Sequence, residues 1–156
     1  MDSPSPYVPS DWERTTYYTG ISPDPPELLY RSDFLENPFP IPKGRHPYLP
    51  YLPTKTAHGV FNTLLNAVWG TVAPQICECL KALKIRYSSI NVARFVTECE
   101  DGNNTRGPIV IWIATHPATT TAKNAHDASL GILALLKDNG IEDVVVEWYE
   151  GVVERL

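Results

Sequence analysis

The residues that can do chemistry in this chain are few, and most of them crowd one segment. Thr115, His116, Thr119, Thr120 and Thr121 lie within seven positions, THPATTT. The segment leaves an apolar run that reads as a strand and enters a run that reads as a helix. In open α/β sheets, strand carboxyl ends and helix N-termini are where anions and other ligands bind. Free amides and three hydroxyls can hold a phosphate or carboxylate there, and His116 can act as acid or base near neutral pH. The plainer expectation is that one of Thr119, Thr120 and Thr121 simply caps the helix. Neither a glycine-rich cradle nor a lysine accompanies them, so the segment is not a P-loop.

The other chemical candidates are weaker. Cys77-Glu78-Cys79 with a distant Cys99 suggests a metal site. Structural zinc, however, favours wider cysteine spacing and two further ligands. On a helix, positions 77 and 79 point about 200° apart and cannot chelate together. His126-Asp127 resembles a metal-binding doublet, yet only His46, His58 and His116 remain to complete it. A nuclease centre would place an acid on one strand and Glu-x-Lys on the next. The run from Pro108 to Ala114 holds no acid, and Glu147-Trp148-Tyr149 lacks the lysine. No G-x-S-x-G elbow is present. Trp69, Trp112 and Trp148 fall on core-facing elements and read as core, with an aromatic cage as the sharper alternative. The expected catalytic residues, metal ligands and cofactors are therefore none.

The elements that must position these residues can be read from periodicity and punctuation. Leu65, Trp69, Val72, Ile76, Leu80 and Leu83 recur at helical spacing. Pro74 must then lie near the start of that helix, capped by Asn66 or Thr71, or kink it. Residues 85–97 are β-branched and aromatic and read as a partly exposed strand. The polar stretch 98–107 reads as the turn of a hairpin. Residues 108–114 are apolar on both alternating faces, as in a strand buried from both sides. Ala125, Ala128, Ile132, Leu133 and Leu136 form a second helical stripe, stopped at Asn139-Gly140. Residues 143–149 read as a last strand, parallel to 109–114 through a right-handed crossover. Both helices are expected on one face. A fourth strand over 58–63 would complete a split βαβ, ferredoxin-like sandwich.

The first third differs in kind. Of 15 prolines in the chain, twelve lie in the first 53 residues. Proline fixes φ and removes a donor, so this stretch cannot be ordinary helix or central strand. Yet it also carries nine aromatics, from Tyr7 to Tyr51, and disordered tails are poor in aromatics. An extended arm over 1–53, packed on a compact domain over 54–156, satisfies both facts. Several aromatics, Phe34 and Phe39 among them, should then be largely buried. Asp24-Pro25-Pro26, followed by helix formers, predicts one short helix over 25–31.

The 156 residues make one domain. A hydrophobic fraction of 43% supports a core, and a net charge of −5 argues against nucleic-acid or membrane-surface binding. Three cysteines are an odd number, no signal peptide is visible, and Asn103-Asn104-Thr105 reads only as a polar loop. The expected compartment is the cytoplasm. The apolar stretch Val152-Val153 near the end suggests an N-terminal piece of something longer.

Four stretches, PDPPELLYRS, LNAVWGTVAPQICECLKALKIRYSSINVARF, GPIVIWIATHP and AHDASLGILALLKDNGIEDVVVEWYEG, carry a resemblance. Together they resemble the N-terminal region of a family of uncharacterised proteins from mushroom-forming fungi, from about Pro23 onward. The resemblance implies longer chains whose later region has a histidine motif reminiscent of trypsin-like folds, a region this chain lacks. It carries over no catalytic residue. The expected class is α+β: a small mixed sheet, an antiparallel hairpin plus a parallel βαβ crossover, covered by two helices and fronted by the arm. The expected role is a non-enzymatic accessory or protein-interaction module whose partner is another protein or a downstream domain. The alternative is a small-molecule, anion-binding or hydrolytic domain built on the His116 loop.

Overall fold

The computed structural model describes residues 7–39, 54–98 and 104–151. Eight elements follow in order: α1 (Asp11–Thr16), β1 (Glu27–Arg31), β2 (Thr54–His58), α2 (Leu64–Ala82), β3 (Tyr87–Glu98), β4 (Asn104–Thr115), α3 (Ala122–Asp138) and β5 (Val144–Glu150). They form one five-stranded mixed sheet in the order β1-β5-β4-β3-β2. The β3–β4 hairpin is antiparallel, and β5 runs parallel to β4 with Ile111 opposite Val146. The two-faced apolar run is thus central, as its composition requires.

Both long helices pack on one face. Val72, Ile76 and Leu80 of α2 and Ala125, Ala128, Ile132 and Leu136 of α3 share a core with Ile111, Ile113, Val146 and Trp148. Alanines on α3 let backbone and sheet approach closely, which suits the dense packing of protein interiors. The Trp148 indole N–H donates to Ser129 Oγ at 2.8 Å, so even this dry face leaves it no orphan. Pro74 lies inside α2. The cap is Thr63, ahead of both expected caps, Asn66 and Thr71, which lie inside the helix. Thr63 and Asn66 form a reciprocal capping box, so Asn66 serves at N3 instead.

The other face carries Phe95, Val110, Ala114 and Tyr149 and is closed by Tyr17 and Tyr18, which follow α1. Tyr17, Tyr18 and Tyr30 are buried, whereas Phe34 and Phe39 are only partly so.

Four expectations need correction. Residues 25–31 are not a helix. Glu27–Arg31 is an edge strand paired antiparallel with β5, with a register shift between Leu28 and Tyr30. That shift sends Leu28 to the arm side and Tyr30 to the helix side, although two residues apart on a regular strand share a face. Pairing and two-sided burial override local helix propensity here. The first third is therefore more than an arm lying on the domain, since it supplies β1 to the sheet. The fourth strand forms at Thr54–His58, ahead of the expected 58–63, and pairs with β3. Although the order from β2 to β5 is βαββαβ, the strands lie consecutively, β5-β4-β3-β2. A split βαβ needs a strand between the two that flank a helix, so the ferredoxin-like arrangement does not form.

Candidate functional site

The loop singled out by sequence is largely occupied by its own contacts. Thr121 caps α3, its hydroxyl accepting from Asn124 N at 3.1 Å. The Thr119 hydroxyl donates to the His116 carbonyl at 2.6 Å. The Ala118 amide donates to Glu150 Oε2 at 2.8 Å, so a carboxylate of this chain already sits where an anion would. Ala118 holds the left-handed conformation, φ 61°, at the tip. Thr115 and Thr120 are buried, with hydroxyls that have no hydrogen-bond partner among the described residues. His116 is half-buried, and its ring makes no hydrogen bond among the described residues.

The remaining sequence candidates are scattered. Cys77 and Cys79 are free thiols on α2, and Cys99 lies outside the described residues. His126 pairs with Asp127 at 3.1 Å and stacks on Tyr7 at 4.2 Å between ring centroids. Among the described residues, no group of three or more histidines, cysteines and acids is placed to hold a metal. Nor is any helix there long and apolar enough to cross a membrane.

The arm side of the sheet holds a cavity of about 360 Å³, within the range of small-molecule sites. None of the five loop residues lines it. Its aromatic and aliphatic walls are Tyr17, Pro38, Phe39, Phe95, Pro108 and Val110, and its polar groups include Arg31, Asp33, Lys55, Thr97, Thr105 and Glu147. The sheet shapes it from below. Lys55 stands opposite Thr97, and Thr97 opposite Thr105, so one cross-strand row runs along the cavity. A register shift between Arg94 and Val96 sets Phe95 against Gly107 and Pro108. Gly20 fixes the approach of the tyrosine segment to β2. Its φ is 97°, and a Cβ there would lie 2.7 Å from Thr54 Cβ. This close passage lets the Lys55 amide donate to the Thr19 carbonyl at 2.8 Å.

Glu147 is the anchor. It is 2% exposed, and its two oxygens accept from the hydroxyls of Tyr17 and Tyr18, each at 2.8 Å. Tyr18 in turn accepts from the Trp112 indole N–H at 3.0 Å, which makes a chain of three donors ending on one carboxylate. Burial lifts the Glu147 pKa above the usual carboxylate value, while the Lys55 charge and the tyrosine hydroxyls oppose the rise. Burial and the Glu147 charge push both tyrosines well above their ordinary range.

The two cations differ sharply. The Arg31 guanidinium is held through two of its nitrogens, with Nε donating to Glu13 Oε2 at 2.6 Å and Nη1 donating to Asp33 Oδ1 at 3.1 Å and to the Asn37 carbonyl at 2.7 Å. The Lys55 ammonium has neither hydrogen bond nor ion pair among the described residues. Its Nζ lies 2.9 Å from the centroid of the Tyr17 ring. Burial first, then the Arg31 charge, lowers its pKa to about 8 against the pull of Glu147.

Sequence reasoning missed this site for a definite reason. Lys55 and Glu147 are 92 positions apart, and no local spacing connects them. The one available signal was Glu147 itself, an acid within an apolar strand that had to find buried partners. No family model, curated protein or solved structure matches the chain.

Proposed function

We propose that this chain is a non-enzymatic binding module for a small, largely apolar ligand. The ligand sits in the cavity between the sheet and the tyrosine segment. The observation that carries the reading is the cavity itself: about 360 Å³, walled by aromatic and aliphatic side chains, with one lysine that no acceptor among the described residues engages. This reading places binding on the arm side of the sheet, at a cavity that no residue of the His116 loop lines. The resemblance to fungal sequences supports a module within a longer protein.

Thermal unfolding with a panel of small neutral aromatics tests this. A ligand that binds only the folded state raises the melting temperature saturably. Thr97→Trp, at the cavity wall on β3, should abolish that rise while leaving the unliganded fold in place. A panel without any saturable shift would sink the reading.

A protein-interaction role is favoured by a different observation. Phe61 and Leu64, where the chain enters α2, are 78% and 60% exposed. Large exposed apolar side chains three positions apart in sequence suit a protein contact. Phe61→Ser with Leu64→Ser should then weaken association with a partner without altering ligand binding in the cavity.

A further inference from the structure

The ligand class follows from how charge and donors are arranged around the cavity, and the argument rests on the binding reading above. Two cations, Arg31 and Lys55, face three acids, Glu13, Asp33 and Glu147, which leaves one negative charge in excess. An anionic ligand would add a second to a half-buried space, where repulsion is poorly screened. A neutral ligand adds none. Glu13 and Asp33 already pair with Arg31, and both Glu147 oxygens are hydrogen-bonded. Among the described residues the Lys55 amine is thus the nucleophilic group left without a polar partner, and it shares the cavity lining with apolar Phe39, Phe95 and Val110.

We propose that Lys55 is a site of reversible imine formation, taking a small aldehyde with an apolar body from the cavity. The ammonium first loses a proton to solvent. The amine lone pair then attacks the carbonyl carbon, a C–N bond forms, and the oxygen gains a proton to give a carbinolamine. Loss of that hydroxyl as water leaves C=N, which is protonated at nitrogen. The balance is Lys–NH3⁺ plus O=CHR giving Lys–NH⁺=CHR plus H2O, without oxidant or reductant. The positive charge is retained, and with it the electrostatic attraction of Glu147. The lowered pKa of Lys55 supplies free amine near neutral pH, as in other desolvated nucleophilic lysines. Lys81 and Lys123, whose side chains are 65% and 69% exposed, provide internal comparisons.

The test treats the full chain with benzaldehyde at pH 7.5 and traps imines with cyanoborohydride. Intact mass and peptide mapping then give the rate at each lysine. We expect Lys55 to be labelled at least tenfold faster than Lys81 or Lys123, and the preference to vanish in urea. Lys55→Arg, which keeps the charge and the cation over Tyr17, should lose the fast phase and keep the slow one. Benzyl alcohol, which has the same body and cannot condense, should slow labelling of Lys55 alone. Equal labelling of all three lysines, with benzyl alcohol still raising the melting temperature saturably, would overturn the imine and leave the binding reading standing. Equal labelling with no shift from benzyl alcohol would overturn both.

Discussion

The two faces of the sheet solve the same problem by opposite means. On the helix side, α2 and α3 bury Ile111, Ile113, Val146 and Trp148 behind aliphatic side chains, and shape alone does most of the work. On the other side, Tyr17 and Tyr18 close the sheet over a buried carboxylate, a buried arginine and a half-buried lysine. A dry layer tolerates little change in volume. A polar layer depends on each donor meeting its acceptor. The difference shows where function can reside: the dry face holds the fold, and the polar face keeps a cavity.

The largest test removes one layer entirely. Without residues 1–53 the sheet loses β1, and Glu147 loses both tyrosine donors while Val110 and Tyr149 lose their cover. The remaining chain should be insoluble or lack a cooperative unfolding transition. A 54–156 fragment that melts like the whole chain would break the view that the arm side is half of the core.

Adjacent residues on β4 sharpen the comparison. Ile111 is fully buried on the helix side, and Val110 faces the cavity. Ile111→Asp places a carboxylate among hydrocarbons and should cost about 4 kcal/mol or more. Val110→Asp meets open cavity space instead of packed hydrocarbon, so roughly half that loss is expected. Urea unfolding of the two variants measures the difference, and equal losses would show that the faces are alike.

Within the polar layer, Tyr18→Phe leaves one oxygen of Glu147 and the Trp112 indole N–H without their partners. The expected cost is about 1 to 3 kcal/mol. Tyr17→Phe removes a single bond and should cost less. A double-mutant cycle between Tyr18→Phe and Glu147→Gln should give a coupling energy well above zero.

Titration adds a signature that the dry face cannot have. The folded chain holds the Lys55 pKa at about 8, below that of an unfolded lysine. Between pH 8 and about 10 the unfolded state binds more protons, so stability should rise with pH there. Tyr17 and Tyr18 act in the opposite sense above pH 10, because their folded pKa values are raised and the unfolded chain ionises first. Relative to Lys55→Met, the wild type should gain on the order of 1 to 2 kcal/mol across the lower window. Parallel stability curves for the two proteins would remove Lys55 from the account.

The contrast also explains what the sequence made legible. The central strand, its antiparallel and parallel neighbours and the shared face of the helices follow from patterns of 2 and 3.6 residues, which local sequence displays directly. Glu27–Arg31 was not legible as a strand, because Leu28, Leu29 and Tyr30 suit either element. The partner that decided between them, β5, lies more than a hundred residues away. The cavity was hidden for the same reason. Tyr17, Lys55 and Glu147 come from three distant segments, joined only by the topology and by the close passage at Gly20. The THPATTT loop stood out because its residues are neighbours in sequence. Its hydroxyls at 119 and 121 instead serve a turn and a helix cap.

The smallest expected effect concerns that loop. The His116 ring makes no hydrogen bond among the described residues, and the loop's bonds to this residue use its main chain: the amide donates to the Arg86 carbonyl, and the carbonyl accepts from Thr119. His116→Ala keeps every one of these and should shift stability by roughly 0.5 kcal/mol or less, as at ordinary surface sites. Thr121→Ala removes the cap of α3 and should cost about 1 kcal/mol. Because the Ala118 amide is already held by Glu150, phosphate or sulfate should not raise the melting temperature of the wild type specifically. Glu150→Gln weakens that internal occupant, and it is the variant in which an anion has its best chance to bind. A saturable stabilisation of the wild type by phosphate, lost in His116→Ala, would return the binding site to this loop and leave the tyrosine layer a purely structural device.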